Sequence, residues 1–110
     1  MDIVEREQDG VFIFEVQGRI DTQGAVDMDL ALQAAVAAGK NRMVLDMVGV
    51  RYISSAGLRT LADVLTKNRE NGGDLKLATL PAKIMRVFKI IGFHQFFSIY
   101  DTVEAALADF

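Results

Sequence analysis

Two adjacent hydroxyl side chains, Ser54 and Ser55, are the residues of this chain whose type and position best suggest chemistry. They follow an apolar segment, Met43–Met47, and they open a helical pattern that runs to about Glu70. The first N–H groups of a helix have no partner within the helix and carry a partial positive charge, so they attract anions. A serine at this point is therefore either an ordinary helix cap or a residue that gains and loses a phosphate.

The usual signatures of an active site are missing around these serines. Ser55 lacks the Gly-x-Ser-x-Gly setting of an activated nucleophile, and no phosphate-binding loop of the Gly-x-x-x-x-Gly-Lys type occurs. The single histidine, His94, has no carboxylate or nucleophile beside it in sequence. Asp21 and Asp46 both fall near strand ends and could form an acid–base pair, although such residues more often cap turns. We therefore predict a protein without catalytic residues, without a cofactor and without a metal site.

Composition excludes several classes of protein. Hydrophobic residues make up 51% of the 110 residues, which is enough for one core and argues against disorder. The net charge of −3 comes from interspersed charges, whereas a nucleic-acid-binding protein usually carries a basic stripe with aromatic residues. Cysteine is absent, which removes disulfides, thiolate zinc sites and a cysteine nucleophile.

Hydropathy indicates where the protein works. The first residues, Met1–Glu7, are charged and lack the apolar centre of a signal peptide. No apolar run approaches the roughly 20 residues that span a bilayer. We expect a cytoplasmic protein without membrane insertion, and its length and balanced charge are compatible with a monomer.

Strands and helices alternate along the chain and must position the two serines. Period-two and continuous apolar runs predict strands at 3–7, 11–16, 43–47, 75–78 and 96–100, and residues 48–53 read as a connector. Apolar stripes at helical spacing predict four helices, which follow the second to the fifth strand. The predicted order is β-β-α-β-α-β-α-β-α, with a hairpin at Asp9-Gly10. Such an order is typical of a single α/β domain with a mostly parallel sheet.

Polar residues at the start of the first predicted helix could, like the serines, either cap a helix or contact a partner. Asp21 and Thr22 are good N-cap residues. Junctions between strands and helices on the same edge of a parallel sheet are neighbours, so Asp21 could also lie beside Ser55. There it could contact a partner or position the serine for phosphate transfer. Arg59, one helical turn after Ser55, could reach a phosphate or an acidic group of a partner, or could simply be solvated.

Three segments carry a resemblance to a known family: Gly18-Arg19-Ile20-Asp21, Val44-Leu45-Asp46-Met47 and Tyr52-Ile53-Ser54-Ser55-Ala56-Gly57-Leu58. Their spacing is similar to that of STAS domains, which are the bacterial anti-sigma factor antagonists and their relatives. The resemblance covers nearly the whole chain, so we predict one STAS domain over residues 1–110. It implies a small mixed, mostly parallel sheet with helices packed on one side.

The resemblance also implies a function. Members of this family bind an anti-sigma factor that is a serine kinase, so that a sigma factor is released. The kinase phosphorylates a serine or threonine at the helix start, and a phosphatase reverses this step. The family's usual motif, Asp-Ser-Ser/Thr-Gly-Leu, places the phosphorylated residue on Ser55 and the aspartate on Ser54. Ser54 is then a cap or a second phosphorylation site. The predicted partner-binding residues are Asp21, Thr22, Ser54, Ser55, Gly57 and Arg59.

Two alternatives to a phosphorylation-switched antagonist stay open from the sequence. The chain could be a STAS subunit of another assembly, such as a lipid-transport complex or a stress-signalling scaffold, in which the serine is never modified. It could also be a nucleotide-binding or weakly hydrolytic domain, although no phosphate loop supports this reading.

Overall fold

The computed structural model describes residues 1–110, which form one five-stranded sheet and four α-helices. The strands are β1 (Asp2–Gln8), β2 (Val11–Ile20), β3 (Arg42–Ile53), β4 (Asp74–Ala78) and β5 (Ser98–Tyr100). The helices are α1 (Thr22–Ala37), α2 (Ser55–Glu70), α3 (Ala82–Ile91) and α4 (Val103–Ala108). The predicted order of elements is confirmed, with one short 3₁₀ turn (Phe93–Gln95) added before β5.

The strands lie side by side in chain order. β1 pairs with β2 in an antiparallel hairpin, and every later pair is parallel. The hairpin turn is Asp9-Gly10, and both residues have positive φ angles, of 53° and 79°. This is the backbone of a tight two-residue hairpin turn, for which the Asp-Gly pair is preferred.

The third strand is longer than predicted. The segment 48–53 was expected to be a connector, but β3 continues to Ile53 because β2 also continues to Ile20 and pairs with it. β4 ends opposite Asp46, so the second half of β3 has a strand neighbour on one side only. At that point the Asp46 carboxylate accepts hydrogen bonds from the Val48 N–H and the Thr79 hydroxyl. The strand thus carries the chain past β4 and delivers Ser54 and Ser55 to the edge of the sheet.

The first face of the sheet holds the larger core. Alternate residues of the central strands, including Phe14, Leu45 and Leu77, pack there against α1, α2 and α3. Met28 and Leu32 from α1 and Leu61 from α2 are fully buried in this cluster. The hydrophobic periodicity of these helices therefore reports the face that they bury.

The second face holds a smaller core, and it corrects one prediction. The expectation that all helices lie on one side is met by α1, α2 and α3 and is wrong for α4, which covers the opposite face. The physical reason lies in the central strands, which are apolar on both faces, as buried parallel strands are. Val103 and Ala106 of α4 cover the residues on that second face, which are Val11, Ile13, Val44 and Ala78.

The last strand is shorter than predicted. β5 begins at Ser98 rather than at residue 96, because the chain turns through the short 3₁₀ segment first. Phe97 is buried and packs edge-on against Phe88, with ring centroids 5.8 Å apart. The longest helices have 16 residues, and none is both long and apolar enough to cross a bilayer.

Candidate functional site

Ser54 is the N-cap of helix α2. Its backbone is extended (φ −83°, ψ 166°), and its side-chain oxygen accepts a hydrogen bond from the Gly57 N–H at 3.1 Å. This satisfies one of the donors that a helix start leaves without a partner. The cap reading of Ser54 made from the sequence is therefore confirmed, and its phosphorylation stays a prediction.

Ser55 is the first residue of α2 and is exposed. Because Ser54 occupies the Gly57 N–H, the N–H groups of Ser55 and Ala56 are those of the first turn that stay without an intrahelical acceptor. The Ser55 side chain thus lies in the positive field of the helix start and is open to a partner. This geometry suits a group that becomes anionic.

Gly57 contributes to packing and not to the surface. It is buried, and a Cβ atom added to it would lie 2.7 Å from Cγ2 of Ile20 and 3.0 Å from Cγ1 of Ile53. The helix start can therefore approach the ends of β2 and β3 only with glycine at this position. Gly57 therefore serves the packing of α2 on the sheet, and its predicted contact with a partner stays a prediction.

The ends of β2 and β3 bring the two helix starts together. Ile20 pairs in register with Ile53, and the Ser54 N–H donates to the Ile20 carbonyl at 2.8 Å. Asp21 follows directly, and its carboxylate accepts from the Gly24 N–H at 2.8 Å as the N-cap of α1. The predicted proximity of the two junctions is confirmed. Asp21 is an exposed helix cap, and no contact joins its carboxylate to Ser55.

Thr22 and Arg59 face each other across a groove between α1 and α2. This depression has a volume of about 220 Å³, and its other lining residues are Ala25, Val26, Asp29, Ala56 and Thr60. Arg59 is exposed, and the five ion pairs of the structure do not include it. Ser55 and Arg59 are four residues apart on one helix, so their side chains share a face. An unpaired cation therefore stands within one turn of the exposed hydroxyl.

Two features of this edge were not predicted. The Arg19 guanidinium stacks on the Tyr52 ring, 4.5 Å from its centroid, and braces the strand ends just before the helix starts. Val26 contributes an exposed apolar side chain to the groove. The strands predicted at 11–16 and 43–47 ended too early to reveal the first feature. The helical periodicity of α1 showed the buried stripe but gave no sign of the second.

Asp21 and Asp46, the two carboxylates considered as an acid–base pair, lie far apart. Asp46 pairs in register with Glu15, which precedes Asp21 by six residues along the strand. At about 3.3 Å a residue this separates the two carboxylates by roughly 20 Å, so the tentative pair considered from the sequence does not form. His94 is exposed in the 3₁₀ turn, as the sequence indicated. No group of three or more metal-ligating side chains is gathered anywhere in residues 1–110.

Comparisons with known proteins agree with the sequence resemblance. The family model described as STAS domain matches residues 2–106. A protein of Bordetella bronchiseptica described as a candidate anti-sigma factor antagonist, BtrV, is 38% identical over 102 residues, which cover 93% of this chain and 88% of that protein. The chain belongs to the STAS domain family, in its group of anti-sigma factor antagonists.

Solved structures share the fold. A candidate anti-sigma factor antagonist from Thermotoga maritima superposes with a TM-score of 0.93 at 21% identity, covering 97% of this chain and 92% of that one. The Bacillus cell fate determinant SpoIIAA in its phosphorylated form superposes with a TM-score of 0.77 at 13% identity, covering 98% of both chains. At these identities the likeness concerns the architecture alone.

Proposed function

We propose that this protein is a phosphorylation-controlled anti-sigma factor antagonist, and that Ser55 is its switch. In the unphosphorylated form it binds an anti-sigma factor with serine kinase activity and thereby frees a sigma factor. The kinase phosphorylates Ser55, which ends the interaction, and a phosphatase restores it. The observation that carries the proposal is an exposed serine at the first position of α2, behind a separate serine that caps the helix.

The helix start can hold a phosphate without a change of fold. Phosphorylation adds a charge of about −1.5 to −2 and several acceptor oxygens. The Ser55 and Ala56 N–H groups and the Arg59 guanidinium are available to that anion, while the Gly57 N–H keeps its bond to Ser54. In this step the Ser55 oxygen attacks the γ-phosphorus of ATP bound to the kinase, a base of the kinase accepts the hydroxyl proton, and ADP leaves.

A partner that packs against phosphorylated Ser55 would bind less tightly. It would have to bury a strongly hydrated anion, which costs several kcal/mol unless cations of the partner are paired with it. Since about 1.4 kcal/mol corresponds to a tenfold change in affinity, this cost is enough to separate the two proteins. The switch therefore acts at the interface and not on the fold.

The test compares two variants that add the same charge at neighbouring positions. We expect Ser55→Asp to weaken binding to the purified anti-sigma factor by about 100-fold in calorimetry, because its carboxylate lies in the interface. Ser54→Asp restores the family's usual residue, and its carboxylate is held at the Gly57 N–H as the cap, so it should bind more tightly than Ser55→Asp. The circular dichroism spectra of both variants should match that of the unchanged protein, and neither melting temperature should be lower.

Two outcomes would contradict the proposal. The interface mechanism is wrong if Ser55→Asp binds as tightly as the wild type. Capture of partners from the native cell lysate, followed by mass spectrometry, tests the wider assignment. A kinase-type ATPase together with phosphorylated Ser55 supports it, whereas a transporter ATPase with unmodified Ser55 favours the alternative of a STAS subunit in another assembly.

A further inference from the structure

We infer that the anti-sigma factor also docks along helix α1, and that it inserts an apolar side chain into the groove between Val26 and Arg59. The inference rests on the proposed function and names a part of the interface that lies outside the serine motif. Its apolar contacts are Val26 and Leu30, one helical turn apart on α1. Its polar contact is Arg59, which we expect to pair with a carboxylate of the partner.

The outer side of α1 carries two exposed apolar residues. Val26 is 49% exposed and Leu30 is 67% exposed, although the buried stripe of α1 already contains Met28 and Leu32. These two residues therefore lie outside the stripe that packs on the sheet. Val26 lines the groove together with the polar residues Thr22 and Asp29, which is the arrangement of an apolar contact within a polar rim.

The groove is open from the helix starts as far as Asp63, because a second depression of about 300 Å³, lined by Asp29, Arg59, Thr60 and Asp63, adjoins the first. Further along, the Gln33 amide fills the space between the helices, because it donates to Asp63 at 2.8 Å and accepts from Lys67 at 2.9 Å. Between Val26 and Arg59 no such bridge occurs, and the depression of about 220 Å³ can take one side chain of a partner. Thr22 and Ala56, the second residue of α2, line the end of the groove that is nearest to Ser55.

The typical size of protein interfaces also favours docking along α1. A stable interface buries about 800 Å² on each partner, far more than one helix start offers. Its centre is usually apolar and its rim polar. Ala56, which follows Ser55, lines the groove together with Val26, and Leu30 lies one turn beyond Val26 on α1. An approach over the end of β3 would instead meet Tyr52, which is 37% exposed with Arg19 stacked on its ring, and Val48 beyond it.

The experiment replaces apolar side chains by glutamine, which adds no charge and favours helix at least as well as valine. The double variant Val26→Gln/Leu30→Gln should bind the purified anti-sigma factor about tenfold more weakly, as expected for an apolar contact at an interface centre. Ile90→Gln is the matched control, because Ile90 is 76% exposed near the end of α3, toward the opposite edge of the sheet. It should bind like the wild type.

The possible outcomes separate this inference from the proposed function. If the double variant binds like the wild type while Ser55→Asp is weakened, the α1 surface is not part of the interface, and the switch at Ser55 stands. If Val48→Gln is weakened in its place, the partner approaches over β3, and the inference is equally wrong. If the wild type binds no anti-sigma factor, both proposals fail. Urea denaturation of each variant establishes that all were compared in the folded state.

Discussion

Ser54 shows how a change within a family motif can preserve the chemistry of the position. The family usually has aspartate there, and aspartate and serine are both strong N-cap residues because each accepts a hydrogen bond from the third residue of the helix. Ser54 makes this bond to the Gly57 N–H. The replacement therefore keeps the local structure that presents Ser55, and it removes one negative charge beside it.

Removal of the cap gives a direct test at this residue. We expect Ser54→Ala to lower the free energy of unfolding by about 0.5–2 kcal/mol, since the Gly57 N–H would lose its acceptor. Ser54→Asp should equal or exceed the wild type, because a carboxylate at a helix N-terminus gains about 0.3–1 kcal/mol. Urea denaturation measures both. An unchanged midpoint for Ser54→Ala would mean that the cap contributes nothing to stability.

The residue scale also shows which roles can be predicted from sequence. The caps at Asp21 and Ser54 were predictable, because a cap depends on residue type and on the start of a local apolar pattern. The role of Gly57 was not, because its neighbours Ile20 and Ile53 come from two other elements. A motif glycine looks the same in sequence whether it contacts a partner or allows close packing.

At the scale of elements, helix α2 depends on the close approach that Gly57 permits. An added methyl group would come within 2.7 Å of Ile20 and 3.0 Å of Ile53, which are both buried. Overpacking of this kind costs about 1–3 kcal/mol. Alanine recovers about 1 kcal/mol through its higher helix propensity. We therefore expect Gly57→Ala to lower the free energy of unfolding in urea despite the better helix former.

A control isolates the helix propensity. Ala34 is an exposed residue of α1, and Ala34→Gly should cost about 1 kcal/mol from propensity alone. If Ala34→Gly destabilises and Gly57→Ala does so as well, the loss at Gly57 comes from packing. A stabilised Gly57→Ala would show that the strands move away at little cost, and that the glycine is not required for docking.

Some properties of the helices and strands can be predicted from the sequence and others cannot, for one physical reason. Helix positions follow from periodicity within a segment, so α2 was predicted from Ser55 to Glu70. The length of β3 depends on its pairing with β2, and pairing joins residues more than thirty positions apart, such as Ile20 and Ile53. The face on which α4 packs depends on which surface the other three helices leave uncovered. Neither property can be predicted from a local sequence pattern.

At the scale of the whole molecule, the sheet separates stability from the candidate site. Helix α2 and Ser55 lie on one face, while α4 and its contacts lie on the other. On the α4 side Lys76 is only 6% exposed. Its ammonium lies 3.6 Å from Asp74, 3.8 Å from Asp109 and 4.8 Å from the centre of the Phe110 ring. This cluster holds the last helix to β4 without contact with the serine surface.

The separation predicts that the two properties can be changed independently. Lys76→Ala should lower the free energy of unfolding by about 1–3 kcal/mol, because it removes a buried aliphatic stem together with its charge. The dissociation constant for the anti-sigma factor should stay within about twofold of the wild type, since distant and unshared sites act additively. Ser55→Asp should show the reverse behaviour, with no loss of stability and lost affinity.

The stem and the charge of Lys76 can be distinguished by a second substitution. Lys76→Met keeps an unbranched stem against Tyr100 and Phe110, and the carboxylate of Asp74 retains its partner Arg69 at 3.0 Å. We therefore expect a smaller loss than for Lys76→Ala, below about 1.5 kcal/mol, since the side-chain volume is conserved. Calorimetry at a temperature where all variants are folded gives the affinities. A weaker affinity for Lys76→Ala under those conditions would mean that the sheet transmits structural changes from the α4 face to Ser55. Binding of the partner would then depend on the whole fold and not only on the surface around Ser55.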